Sequence, residues 1–178
     1  MPTEISGSTG VNKIQDNTIV NADINSSAAI AGSKISGGTG KVLQVLSNTI
    51  SAGATTTSST MAALGLSQAI TPSSTSSKIY VTVTGGNTRT QDDVGNIFTI
   101  YRGSTDLKTG TDGMVIVYSS GSGVTNFAFS WAMQKLDSPN TTSATTYSVY
   151  WRTRDNGNTT QNHWLGGETT MTLMEIAG

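Results

Sequence analysis

Between Asn12 and Gly38 the chain runs NKIQDNTIVNADINSSAAIAGSKISGG, and its isoleucines recur every five or six residues, at Ile14, Ile19, Ile24, Ile30 and Ile35. A helix, turning about 100° per residue, scatters such positions around its circumference. A flat strand alternates faces, so a five-residue step sends successive isoleucines to opposite sides. Short extended pieces satisfy the spacing, bent at Asp16-Asn17, Asn21, Asp23, Asn25-Ser26 and Gly32-Ser33. Each piece then offers one isoleucine to a common axis.

One copy of the chain cannot enclose that axis. Burying an isoleucine contributes roughly 1.5–3 kcal/mol, whereas ordering each residue costs about 1–2 kcal/mol of backbone entropy. Copies of the segment wound together, with backbone hydrogen bonds between them, reverse the balance. Residues 1–40 are therefore expected to form an extended homotrimeric shaft, or an anchor that orders on a larger assembly. The competing expectation is a disordered polar tail, because Ser, Asn, Asp and Gly dominate.

The remaining residues, 41–178, are enough for one domain of ordinary size. Charged residues make up 12% of the chain, about half the usual share, and Thr, Ser, Gly and Asn replace them. That composition fits a β-rich extracellular or particle-borne protein better than a cytosolic enzyme. A formal net charge of −1 offers no basic patch to nucleic acid or an acidic membrane, so neither is expected as a partner. Cysteine is absent, which excludes disulfides and thiolate metal sites. Residues 1–11, MPTEISGSTGV, show neither the basic start nor the apolar run of a secretory signal. Assembly in a host cytoplasm and release with a particle is the expected route.

After the Gly37-Gly38-Thr39-Gly40 joint, KVLQVLS (Lys41–Ser47) begins the domain as a strand. Residues 48–60 are expected as an edge strand or a long loop, and Met61–Leu66 as a helical turn weakened by Gly65. Ile70-Thr71-Pro72 runs into a turn. Lys78–Thr84 alternates Ile79, Val81 and Val83 against Tyr80 and Thr82, then is expected to turn at Gly85-Gly86-Asn87. Strands follow at Val94–Arg102, Met114–Tyr118, Thr125–Lys135, Thr145–Arg154 and Thr169–Ile176. Phe127, Phe129, Trp131 and Met133 form the strongest apolar stripe. About eight to ten short strands without a long helix predict an all-β fold, an antiparallel β-sandwich of jelly-roll type, carried on the N-terminal shaft.

Four motifs in this order, ADINSSAAIAGSKIS, GKVLQVLSNT, ITPSSTSSKIYV and YRGSTDL, resemble fibre-like virion proteins of tailed bacteriophages, above all those of cyanobacterial and other aquatic hosts. The resemblance covers most of residues 22–107. It implies a trimeric virion appendage, on tail or capsid, with a β-sandwich knob and no catalytic residues. With the anchor reading of residues 1–40, docking of that segment on another virion structural protein is expected.

The residues themselves offer little chemistry. His163 is the one histidine, so any Ser-His-Asp site must use it; beside Trp164 in a polar run it reads as solvated or as a trimer contact. Asp92-Asp93 with Asn96, and Asp155 with Asn156 and Asn158, contain calcium-type donors, but read more simply as turns. Asp106, Asp112, Asp137 and Glu168 show no arrangement of the paired carboxylates that cleave glycans. No enzyme activity, metal or cofactor is expected. Binding is better founded, since aromatic faces with Asn, Asp and Arg are what hold sugars. Arg152, Arg154, Asp155, Asn156, Asn158, Asn162, His163 and Trp164 form such a set; alternatively, the tryptophans are core and the polar residues only solvate a loop. Two functions are expected: attachment to a host-surface polysaccharide, or a decoration role in which the segment clamps the particle and the knob merely projects.

Overall fold

The alternation of Lys78–Thr84 is realised in full: Ile79, Val81 and Val83 are wholly buried, and the residues between them face outward. The computed structural model describes residues 41–90, 94–119, 127–154 and 158–178, which belong to a compact unit spanning Gly38–Gly178. The strands are β1 (Val42–Ile50), β2 (Ala54–Thr56), β3 (Ala62–Ile70), β4 (Lys78–Thr90), β5 (Gly95–Arg102), β6 (Thr105–Asp106), β7 (Val115–Tyr118), β8 (Phe127–Asp137), β9 (Thr145–Thr153), β10 (Thr160–Asn162) and β11 (Thr169–Ile176). A short 3-10 turn, Trp164–Gly166, is the one helical piece among the described residues. Ile14, Ile19, Ile24, Ile30 and Ile35 lie outside the described residues, as do Asp155 and Asn156.

Every ladder is antiparallel. In one sheet β1, β11, β4 and β8 lie side by side, with β10 succeeding β11 along β4 and β2 flanking β10. In the other, β3, β9 and β5 are adjacent, and β6 and β7 share the free edge of β5. The pairs nest: β5–β7 lies inside β4–β8, which lies inside β3–β9, which lies inside β1–β11. The chain thus doubles into one long ribbon that rolls over, and β11–β4 and β9–β5 join its turns into sheets. The expected all-β, antiparallel sandwich is what the chain forms.

The two ends of the sandwich differ. At the proximal end the chain enters, and the Lys41 carbonyl accepts a hydrogen bond from the Ala177 amide at 2.8 Å. Two buried carboxylates close this end. Arg102 Nη1 donates to both oxygens of Asp137 at 3.0 and 2.9 Å, and the Tyr147 hydroxyl donates to the same carboxylate at 2.7 Å. Burial and this bond push the Tyr147 phenol well above its ordinary pKa. Glu175 receives Ser73 through its amide and hydroxyl at 2.7 and 2.6 Å, and Gln44 Nε2 at 2.6 Å. Burial opposes its charge, but the hydrogen bonds from Ser73 and Gln44 prevail and hold its pKa at about 2. That carboxylate is what fixes the TPSSTSS segment against the sheets.

At the distal end, β4 stops at Thr90, roughly 40 Å along at 3.3 Å per residue. β4, β7 and β9 end here, at Thr90, Tyr118 and Thr153. Phe98 stacks on Trp131 at 4.1 Å and lies 6.2 Å from Trp151, and these rings bound the apolar core. Beyond them the interior is polar, with Thr88, Thr90, Asn96, Thr153, Thr160, Asn162 and Thr169 all essentially inaccessible.

Four local expectations change. Met61–Leu66 is strand, because β3 pairs with β9; Gly65, at φ +99°, carries a bulge within that ladder. Gly85-Gly86-Asn87 is a bulge inside β4 rather than a turn, since β8 pairs with β4 on both sides of it. A Cβ on Gly85 would lie 2.1 Å from the Trp131 ring, so the indole occupies the space a side chain would need. The Phe127 stripe is buried only at Trp131 and Met133; β8 outruns the core, leaving Phe127 exposed and Phe129 half-buried, stacked at 5.8 Å. Finally, the run read as a polar loop from Asp155 to Asn162 includes β10 at its end.

Candidate binding surface

Those of the residues grouped by sequence around Trp164 that the structure describes separate into four places. Asn162 and His163 are interior. The indole Nε1 of Trp131 donates to Thr88 Oγ1 at 2.9 Å, and Thr88 donates to Asn162 Oδ1 at 2.8 Å. Asn162 Nδ2 reaches His163 Nε2 at 2.8 Å, and Thr169 Oγ1 lies 2.7 Å from the same nitrogen. His163 Nδ1 ends the chain at the Ala52 carbonyl, 2.6 Å away. A carbonyl only accepts, which places a proton on Nδ1 and leaves Nε2 to accept from Asn162. The expectation that Asn162 and His163 face a surface ligand is therefore corrected. Both are buried because β10 tucks between β4 and β2, and every polar atom they bring inside is satisfied by this relay.

Arg152 and Arg154 lie on the outer face of the second sheet. Arg152 Nη2 pairs with Asp112 at 3.2 Å, and the Arg154 guanidinium covers the Tyr118 ring at 4.9 Å. Asn158 is exposed at the distal end. Trp164 lies on the opposite side, half-buried, with the Arg89 guanidinium 5.4 Å from its ring. Trp151 is core.

The carboxylates reviewed for catalysis are mostly committed elsewhere. Asp106 accepts from Thr99 at 2.6 Å and pairs with Lys108 at 3.3 Å. Burial raises its pKa, but those hydrogen bonds outweigh it and the net shift is downward. Asp112 holds Arg152, and Asp137 holds Arg102 and Tyr147. Among the described residues no three His, Asp or Glu side chains converge as metal ligands. Asn96, considered beside Asp92-Asp93, is wholly buried.

Glu168, the remaining one, is exposed. It borders an open depression of about 590 Å³ on the outer face of the first sheet, with Thr84, Gly85, Gly86, Ser130, Trp131, Ala132 and Thr170. Backbone approach creates it. The Gly86 amide donates to the Glu168 carbonyl at 2.8 Å, and a Cβ on Gly167 would meet the Gly86 carbonyl at 2.5 Å. The lining thus combines bare peptide at the glycines and apolar surface at Trp131 and Ala132 with the hydroxyls of Thr84, Ser130 and Thr170 and one carboxylate.

No protein-family model matches this chain, and no curated protein matches it either.

Beside the depression, the turn after β10 projects Leu165, 77% exposed and held at φ 58°. A branched residue in left-handed backbone carries strain of about 1–3 kcal/mol, which is tolerated when surrounding structure imposes it. Here His163, also left-handed, is pinned by the relay, while the Gly86–Gly167 contact holds the other side. Peptide groups, hydroxyls, a carboxylate, an indole under a guanidinium and an apolar tip are what polyhydroxylated ligands use. Sequence reasoning passed over Thr84, Ser130 and Thr170. The one local signal was the Gly85-Gly86 doublet inside an alternating run.

Proposed function

We propose that the chain is a virion structural protein, a homotrimeric tail or capsid fibre that presents this domain for attachment to a host-surface polysaccharide. The observation that carries the reading is the polarity of the domain. The chain enters at one end, next to the C-terminus of β11, while the depression beside Glu168 and the exposed Leu165 lie away from that end, beyond the start of β11 at Thr169. A module that is anchored at one end and offers a polar surface away from it suits a projecting attachment role. The nested strand pairs support a jelly roll, an arrangement of two Greek keys used in capsid and lectin domains. The resemblance of residues 22–107 to phage fibre-like proteins supports the same reading. So do the isoleucines of residues 12–38, which copies of the chain would shield together. Neither catalysis nor a cofactor is part of this function.

Particles carrying Glu168→Gln and Leu165→Ser test it, because both residues are exposed and neither supports the core. Adsorption to the host should fall by about tenfold, equivalent to roughly 1.4 kcal/mol, with particle integrity unchanged. Normal adsorption, combined with particles that fall apart when the protein is omitted, would overturn attachment and leave a decoration role for the same fold.

A further inference from the structure

We infer that the proximal half of the outer face of the first sheet is the contact through which copies of this domain pack against one another. The inference rests on the homotrimeric reading above and names the surface that such an assembly uses.

Strand register aligns four apolar side chains in a single outward row. Val45 pairs with Met174, Met174 with Tyr80, and Tyr80 with Leu136. Leu46 and Ile50 face the core from the same strand as Val45, which fixes the row on the outside. Val45 is 54% and Leu136 51% exposed, and Val42 beside the row is 48% exposed. The next two rows along the sheet are Ser47–Thr172–Thr82–Gln134 and Thr49–Thr170–Thr84–Ala132. The apolar band is therefore local, confined to the end at which the chain enters, and bordered by uncharged polar groups. A solvent-facing sheet normally carries polar residues at such positions, and a contiguous apolar patch rimmed by them marks an interaction site.

A second copy is the occupant the geometry favours. Forty residues precede the described domain, and they join it at Lys41, immediately before the Val42 edge of the band. Copies held together through that preceding segment are brought to one another at this corner and at high effective concentration. Among the outward-facing rows through Lys78, Tyr80, Thr82 and Thr84, Lys78 is the one formally charged side chain, because Glu175, Asp137 and Lys135 pair with the inward-facing Ile79 and Val81, so like surfaces meet there with little repulsion. The distal depression, near Thr84 and Gly86, stays outside the band.

The chain contains no cysteine, so single thiols can be introduced cleanly. Full-length Val45→Cys and, on the other sheet, the exposed Ile116→Cys are each labelled with pyrene, alongside light-scattering mass of the unlabelled protein. A trimeric mass is expected, with excimer emission severalfold stronger from position 45 than from position 116. The double variant Val45→Glu/Leu136→Glu, checked for native circular dichroism, should abolish the excimer of a third label at Val42→Cys. A trimer that gives no excimer from position 45 overturns this contact while the trimeric reading stands. A monomer overturns both, and a misfolded double variant leaves the position-45 excimer to decide.

Discussion

Thr88 connects the apolar and polar halves of the interior, and Thr88→Val tests whether the relay is an energetic unit. Valine matches threonine in shape, so the substitution removes one hydroxyl and little else. Two buried groups lose their partner: the Trp131 indole N–H, 2.9 Å from Thr88 Oγ1, and Asn162 Oδ1, 2.8 Å from it. Each unsatisfied buried group costs about 1–3 kcal/mol, so the sum is about 2–6 kcal/mol. The desolvation penalty of the lost hydroxyl, about 1–3 kcal/mol, offsets part of that. The net expectation is a loss of about 1–3 kcal/mol. With a urea slope of about 1–3 kcal/mol per M, the midpoint falls by roughly 0.5–1.5 M at an unchanged slope. Thr84→Val, at an exposed position of the same strand, serves as control and should stay within about 0.5 kcal/mol. Both unfolding curves are taken at one protein concentration, because self-association adds to apparent stability. Equal midpoints for Thr88→Val and Thr84→Val would refute the relay as a source of stability.

Glu175 gives the pH dependence its sign. Its folded pKa of about 2 lies below the ordinary value of 4.5, so it contributes stability above pH 4.5 that is lost as pH falls through 2. A shift of that size corresponds to about 3 kcal/mol. Glu175→Gln should flatten the stability curve between pH 4.5 and 2, and an unaltered acid limb in urea titrations would contradict the assignment. Gly85→Ala forces the Trp131 ring off its site, since the new Cβ lies 2.1 Å from it. The expected loss is about 3 kcal/mol or more, read as a lower calorimetric midpoint, and a wild-type midpoint would show that the indole can move aside freely.

Much of the framework was legible because it is local. Ile79, Val81 and Val83, or Tyr147, Val149 and Trp151, announce a buried face through period-two alternation alone, and all six are buried. Edges of that legibility appear where neighbours decide. Gly85-Gly86-Asn87 carries the residues of a turn, yet β8 pairs along both sides and makes it a bulge. MAALGL has the composition of a helical turn, yet β9 recruits it as strand.

The binding surface was less legible still. Asn162 and His163 sit in a polar run, and nothing in QNHW separates a solvated histidine from a buried one. The partners that bury them, Ala52, Thr88 and Thr169, come from three other parts of the chain. Likewise Thr84, Ser130, Glu168 and Thr170 are ordinary polar residues until three strands align them around one depression.

By itself the sequence determined the β-class of the fold, most strand positions and the face each strand turns inward, because those depend on side-chain period and turn chemistry within a few residues. Tertiary structure alone decided which strands adjoin, which end of the interior is polar, and that Val45, Met174, Tyr80 and Leu136 form one row. The physical reason is register: it brings together residues as far apart as 45 and 174, and no local pattern encodes a hydrogen-bonded partner at that distance.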